Sequence, residues 1–217
     1  MRWGCRRAAV AGGVAAALVT GTAGARADEV VDPTRGRIEG DVTVAAGVGA
    51  ALAPRGPRVE GEVRLRYLET TGLFATFEDG ALISSEAEPR RVLAAGIELR
   101  PLFLFRWLQG LEARRPALDL AVDSVALELG AVFQQPAGAA FSTRPGLQAG
   151  LGVELPLCAR ATGVWVGIHG GVRWSDSALS SGVAGSADDR SAYVSLALAW
   201  HQVVAAHVVD LGDEAPR

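Results

Sequence analysis

Glu60, Glu62, Arg64 and Arg66 stand at alternate positions of one short segment. Glu98, Arg100, Asp119, Asp123, Glu128, Glu154, His169 and Arg173 fall on the polar phase of later segments. Acids and bases gathered on one face allow three outcomes: mutual pairing into a salt-bridged interior, capture of a small polar ligand, or a narrow path for ions. Catalysis asks for more. His169, His201 and His207 are the only histidines, and no HExxH, CxxC or GxSxG spacing occurs. The usual zinc-hydrolase, thiol-redox and nucleophile-elbow signatures are therefore missing. His169 and His201 are zinc candidates by residue type, and Ser142 or Ser175 beside either one is a candidate nucleophile for a lipid-acting barrel enzyme. No spacing selects them. Gly150 and Gly152 lie inside an alternating strand pattern, so they do not open a helix that binds phosphate. No metal and no cofactor is expected.

The elements that must position these residues read as strands. In GLQAGLGVELPL, residues 146–157, Leu147, Ala149, Leu151, Val153, Leu155 and Leu157 fall on one side and Gln148, Gly150, Gly152 and Glu154 on the other. A strand sends successive side chains to opposite faces, so this spacing is a strand with one apolar and one polar face. The same pattern predicts strands over about 37–52, 58–68, 73–83, 91–107, 117–133, 162–174 and from 190 onward. Pro101 is awkward within a strand. It marks either a bend or the start of a short helix over Leu102–Leu111. The fifth strand changes phase near Asp123-Ser124, as a β-bulge would. Thr70-Thr71-Gly72 reads as a tight turn. Residues 175–189, rich in Ser, Gly, Ala and Asp, read as the longest loop and the place for a protein or ligand contact.

The N-terminus is a targeting segment. Arg2, Arg6 and Arg7 precede an apolar run from Ala8 to Val19, and Ala25-Arg26-Ala27 supplies a small-residue cleavage site. The expected organisation is a signal peptide over 1–27, a polar tail over 28–36, a β-barrel over 37–209 and a second polar tail over 210–217. Cleavage takes away four arginines and no acid, which leaves 17 basic and 24 acidic residues and a net charge of −7. That balance excludes nucleic acid as a partner. It also leaves Cys158 as the single cysteine of the shortened chain, so no internal disulfide is expected there.

Alternation alone fits a soluble sandwich or a membrane barrel. The predicted strands mostly reach the 9–11 residues that span a bilayer, whereas soluble strands cluster near 5–6. Tyr67, Trp107, Phe133, Trp174 and Trp200 fall on apolar faces near strand ends, where interfacial aromatic girdles belong. On this pattern, residues 37 to about 205 resemble the small eight-stranded outer-membrane β-barrels. The chain departs from them at its end, DLGDEAPR, where such proteins often carry an aromatic residue. The resemblance implies an all-β, antiparallel up-and-down barrel of about eight strands, in contact with membrane lipid in the outer membrane of a Gram-negative-type cell. It implies a structural or loop-mediated role without catalysis. The competing expectations are a narrow pore, a small-ligand barrel, and a periplasmic or secreted lipocalin-like carrier. An eight-stranded barrel is just wide enough for its own side chains, so the charged face is expected to plug itself.

Overall fold

The computed structural model describes residues 42–83, 87–111, 115–180, 190–204 and 206. The expected signal peptide, both polar tails, the start of the first strand, His207 and residues 181–189 of the long loop lie outside these described residues.

Eight strands form a closed antiparallel barrel in chain order. They are β1 (Val42–Ala53), β2 (Gly56–Tyr67), β3 (Thr71–Asp79), β4 (Arg91–Leu99), β5 (Ala126–Gln135), β6 (Gly146–Pro156), β7 (Gly163–Trp174) and β8 (Arg190–Val204). Each pairs with the next, and β1 closes on β8 through Val42↔Val204 to Leu52↔Val194. Closure satisfies both edges of every strand, so no sheet edge is left open. Val42 and Val204 mark one end of the barrel, here called the base. The opposite end, the mouth, carries the β1–β2 turn and the connections after β3, β5 and β7.

Two faces with opposite chemistry follow from the period of two. Outside lies a belt of large apolar side chains: Val48 is 68% exposed, Leu151 58% and Leu196 56%. Inside, Arg66 is 1% exposed, Glu154 1% and Glu98 0%. Among the described residues, Phe74, Val92, Ala94 and Val132 form a small apolar group inside, and Trp165 and Tyr193 are buried there too. A water-soluble β protein has the reverse arrangement.

Three sequence expectations change. The fourth strand stops at Leu99, and a helix, α1 (Pro101–Gln109), replaces its second half. Proline at the first helical position loses no helical hydrogen bond and its fixed φ suits the helix. Gly110, at φ 62°, caps the other end in the left-handed conformation that glycine adopts without penalty. The short-helix alternative is the correct one. The expected fifth strand begins as another helix, α2 (Pro116–Asp123), so the phase change at Asp123-Ser124 is a helix-to-strand junction and not a bulge. Asp119 and Asp123, four apart, share a helix face. Finally, β3 ends at Asp79, and its hairpin with β2 turns through Leu68 and Glu69, at φ 51° and 54°, not through Thr70–Gly72. Positive φ at both central residues matches the right-handed twist of the flanking strands.

Candidate functional site

The lumen is the site that the strands build. Toward the base, Arg64 is its hub. Its Nε donates to Glu62 at 3.0 Å, and its Nη1 donates to Glu98 and Glu128 at 2.6 Å each. The guanidinium carbon also lies 5.7 Å from the centre of the Phe74 ring. Arg66 donates to Glu98 and, at 2.7 Å, to Glu154. Arg100 donates to the second Glu154 oxygen and, at 2.5 Å, to Glu69. His169 Nδ1 lies 2.9 Å from Glu128 and 3.1 Å from Arg64 Nη2. That one ring nitrogen can donate to the carboxylate or accept from the guanidinium, not both at once.

Toward the mouth a second network forms. Arg173 donates to Glu78 at 2.5 Å and to Gln148 at 2.8 Å, and its guanidinium lies 3.9 Å from the centre of the Tyr193 ring. Arg58 reaches the same Glu78 at 3.4 Å and also donates to the Glu88 and Pro89 carbonyls, which ties the β3–β4 connection to the interior. Glu60 is buried on the same face, between Arg58 and Glu62 along β2. Among the described residues, the Tyr193 and Thr76 hydroxyls have no hydrogen-bond partner.

Glycine makes room for these side chains. A Cβ at Gly47 would sit 2.9 Å from Glu62 Oε1, and one at Gly152 would collide with the His169 ring. Gly47 pairs with Glu62 and Gly152 with His169 across adjacent strands, so these glycines leave room for the longer side chain of the neighbouring strand to lie over them.

Asp119 and Asp123 belong elsewhere. They lie on α2, not on a strand, and clasp Arg106 of α1, whose Nη1 donates to Asp123 at 2.5 Å and whose Nη2 donates to Asp119. Burial works against the Arg106 charge, but its hydrogen bond to Asp119 and the two carboxylate charges prevail and hold its pKa above the ordinary value. The whole excursion from Arg100 to Ser124 is fastened at one residue of β6. Arg100 grips the Glu154 carboxylate, while Ser124 Oγ donates to the Glu154 carbonyl at 2.7 Å and accepts from its N–H at 2.8 Å.

The other ten lumen candidates are buried in the barrel interior or at its base. Among the aromatics, Tyr67 and Trp200 lie on the outer face toward the base and Phe133 and Trp174 toward the mouth. Trp107 is 49% exposed on α1 and so belongs to no strand.

The catalytic alternatives find no geometry. Ser142 and Ser175 sit at the mouth; Ser142 accepts from Gln134 N–H at 3.2 Å, and Ser175 pairs with Ser177 at 2.7 Å. His201 lies toward the base, stacked on Trp165 with ring centres 4.6 Å apart. In the β7–β8 ladder His169 faces Ser195 and His201 faces Gly163. Six residues of strand therefore separate the two histidines, about 20 Å, which is too far to share a zinc ion.

Arg58, Glu69, Glu78, Gln148, Tyr193 and His201 join the cluster beyond the residues that the sequence pattern selects. Arg58 simply continues the Glu60–Arg66 alternation. Glu78 lies on the polar phase of the third strand, next to Asp79-Gly80, a pair that reads as turn as readily as strand. Glu69 had no signal, since it reaches Arg100 from a turn. At the mouth a cavity of about 540 Å³ opens among Arg55, Arg58, Glu88, Ser142, Asp176 and Arg190.

No family model matches the sequence, and no curated protein matches it either. Solved structures similar to it include the following three. A de novo designed protein, TMB2.3, shares 13% identity over 74% of this chain and 94% of its own, with a TM-score of 0.38. Neisserial surface protein A shares 12% over 75% and 96%, with a TM-score of 0.36. Ail, the attachment invasion locus protein of Yersinia pestis, solved with the heparin analogue sucrose octasulfate, shares 9% over 75% and 99%, with a TM-score of 0.34.

Proposed function

We propose that this chain is an outer-membrane barrel of a Gram-negative-type cell, with a lumen plugged by its own charges and a structural or loop-mediated role. One observation carries the reading. Large apolar side chains cover the outside of the strands while the arginines and glutamates of the same strands are buried inside. Exposed apolar patches beyond a few hundred Å² are rare on soluble monomers. A belt around a closed barrel has one natural solvent, hydrocarbon. The long β8 and the β1–β2 pair, at 15 and 12 residues, have the length that crossing requires.

The plug follows from the paired guanidiniums. Arg64, Arg66, Arg100 and Arg173 each hold two or more lumen partners. That leaves the mouth as the place for contact with a protein or ligand, and its cavity among Arg55, Arg58 and Arg190 supports this.

The test uses the chain made in a Gram-negative host. The reading expects the protein in the outer-membrane fraction, a folded form in mild detergent that migrates differently on a gel before and after boiling, and no steady current across a planar bilayer. Recovery from the periplasm without detergent would overturn the membrane reading. A stable conductance would overturn the plug.

A further inference from the structure

Helix α1 is apolar around most of its circumference. Leu102, Leu104, Phe105, Trp107 and Leu108 are all large and exposed, with Leu108 at 70%, and Leu111 follows just beyond the cap. Phe103 is the helix's buried anchor. The helix has one charge, Arg106, and that charge is turned toward Asp119 and Asp123 of α2. A helix bathed in water carries its polar residues outward. This one keeps its charge in and shows hydrocarbon out.

We propose that α1 lies in the lipid headgroup layer at the base of the barrel, as a built-in interfacial anchor. The inference rests on the membrane reading above. The occupant of this face is lipid because the face continues the barrel's outer belt. Ile97 and Leu99 of β4 are exposed on that belt, Leu99 pairs across the ladder with exposed Leu127, and the chain passes from Leu99 through Arg100 directly into α1. The height of the helix is fixed by the barrel: Arg100 and Ser124 both fasten to Glu154. Trp107 brings the ring type that favours the boundary between headgroups and acyl chains. A helix that buries its apolar face at the acyl boundary and turns its charge elsewhere lies in the interface plane, and at 9 residues α1 is too short to span.

The test places an environment-sensitive NBD dye on the full chain carrying Cys5→Ser and Cys158→Ser, which removes both native cysteines. The dye sits at Leu108→Cys, with Leu151→Cys as the belt reference and Ala139→Cys as the mouth reference. Each protein is folded into vesicles of phosphatidylcholine and phosphatidylglycerol and checked by its gel shift. The dye at 108 is expected to emit to the blue of the dye at 139. It should be quenched by lipids carrying a shallow spin label, and its quenching by iodide should be several-fold weaker than at 139. Iodide quenching at 108 equal to that at 139, with the dye at 151 still lipid-quenched, overturns the anchor and leaves the barrel reading intact. Water access at both 108 and 151 overturns the barrel reading itself. Shielding at 108 that deepens with protein density in the vesicle, without lipid quenching, assigns the face to a second copy and overturns the proposal. Should Leu108→Cys fail the gel shift, Leu104→Cys on the same exposed surface carries the same comparison.

Discussion

Replacing Arg64 by methionine isolates the question of whether the lumen is dry. The guanidinium is 2% exposed and contacts Glu62, Glu98 and Glu128, two of them at 2.6 Å. At a separation of about 4 Å between charge centres, each attraction is worth about 4 kcal/mol at an effective dielectric near 20, and about 1 kcal/mol in water. Burial of all four groups offsets much of the attraction in the native protein. Methionine removes the compensating charge but leaves three carboxylates in place. The expected loss is about 3–5 kcal/mol, the cost of breaking a buried pair from one side. Adding Glu128→Gln in the same chain removes one orphaned carboxylate without changing shape, so it should recover part of the loss. The assay is urea-induced unfolding in lipid vesicles, followed by the gel shift. A loss of about 1 kcal/mol or less, with no recovery from Glu128→Gln, would describe a solvated lumen and refute the plug.

Other substitutions probe the remaining parts. Leu151→Arg puts a charge on the lipid face of β6 and should cost about 2–4 kcal/mol by the same urea assay, whereas Ala139→Arg at the exposed mouth should change nothing measurable. Gly152→Ala should destabilise the fold, because the new Cβ meets the His169 ring, and His169→Ala in the same chain should restore most of the loss. Ser124→Ala removes both hydrogen bonds to the Glu154 backbone and should cost about 1–3 kcal/mol, with faster protease cutting in the connection between α1 and α2. N-terminal sequencing of the exported form should begin at Asp28; a start at Met1 would exclude cleavage after Ala27.

Alternation makes most of the barrel legible in the sequence. β6 and β8 begin where the pattern places them, and Glu60, Glu62, Arg64 and Arg66 are buried in a row as their spacing dictates. The α1–α2 excursion was less legible. Leu118, Leu120 and Val122 sit two apart and imitate a strand, while the stronger helical signal, Asp119 and Asp123 four apart after a proline, has meaning only once Arg106 is known to face them. The ion pairs themselves were not readable. Phase tells which wall a side chain leaves from, but not which opposite side chain it meets, and that depends on barrel shear. The reach of Arg100 to both Glu69, in the β2–β3 turn, and Glu154, on β6, is a product of closure.

The inside-out arrangement is the central claim, and reagent access to single cysteines at Leu147, Leu151 and Leu155 in a chain that carries Cys5→Ser and Cys158→Ser measures it. In folded protein in vesicles, all three are expected to react with a lipid-soluble maleimide and to resist a membrane-impermeant one. Labelling of the three by the impermeant reagent, or folded protein that stays in solution without detergent while all three resist both reagents, would contradict a lipid-facing belt.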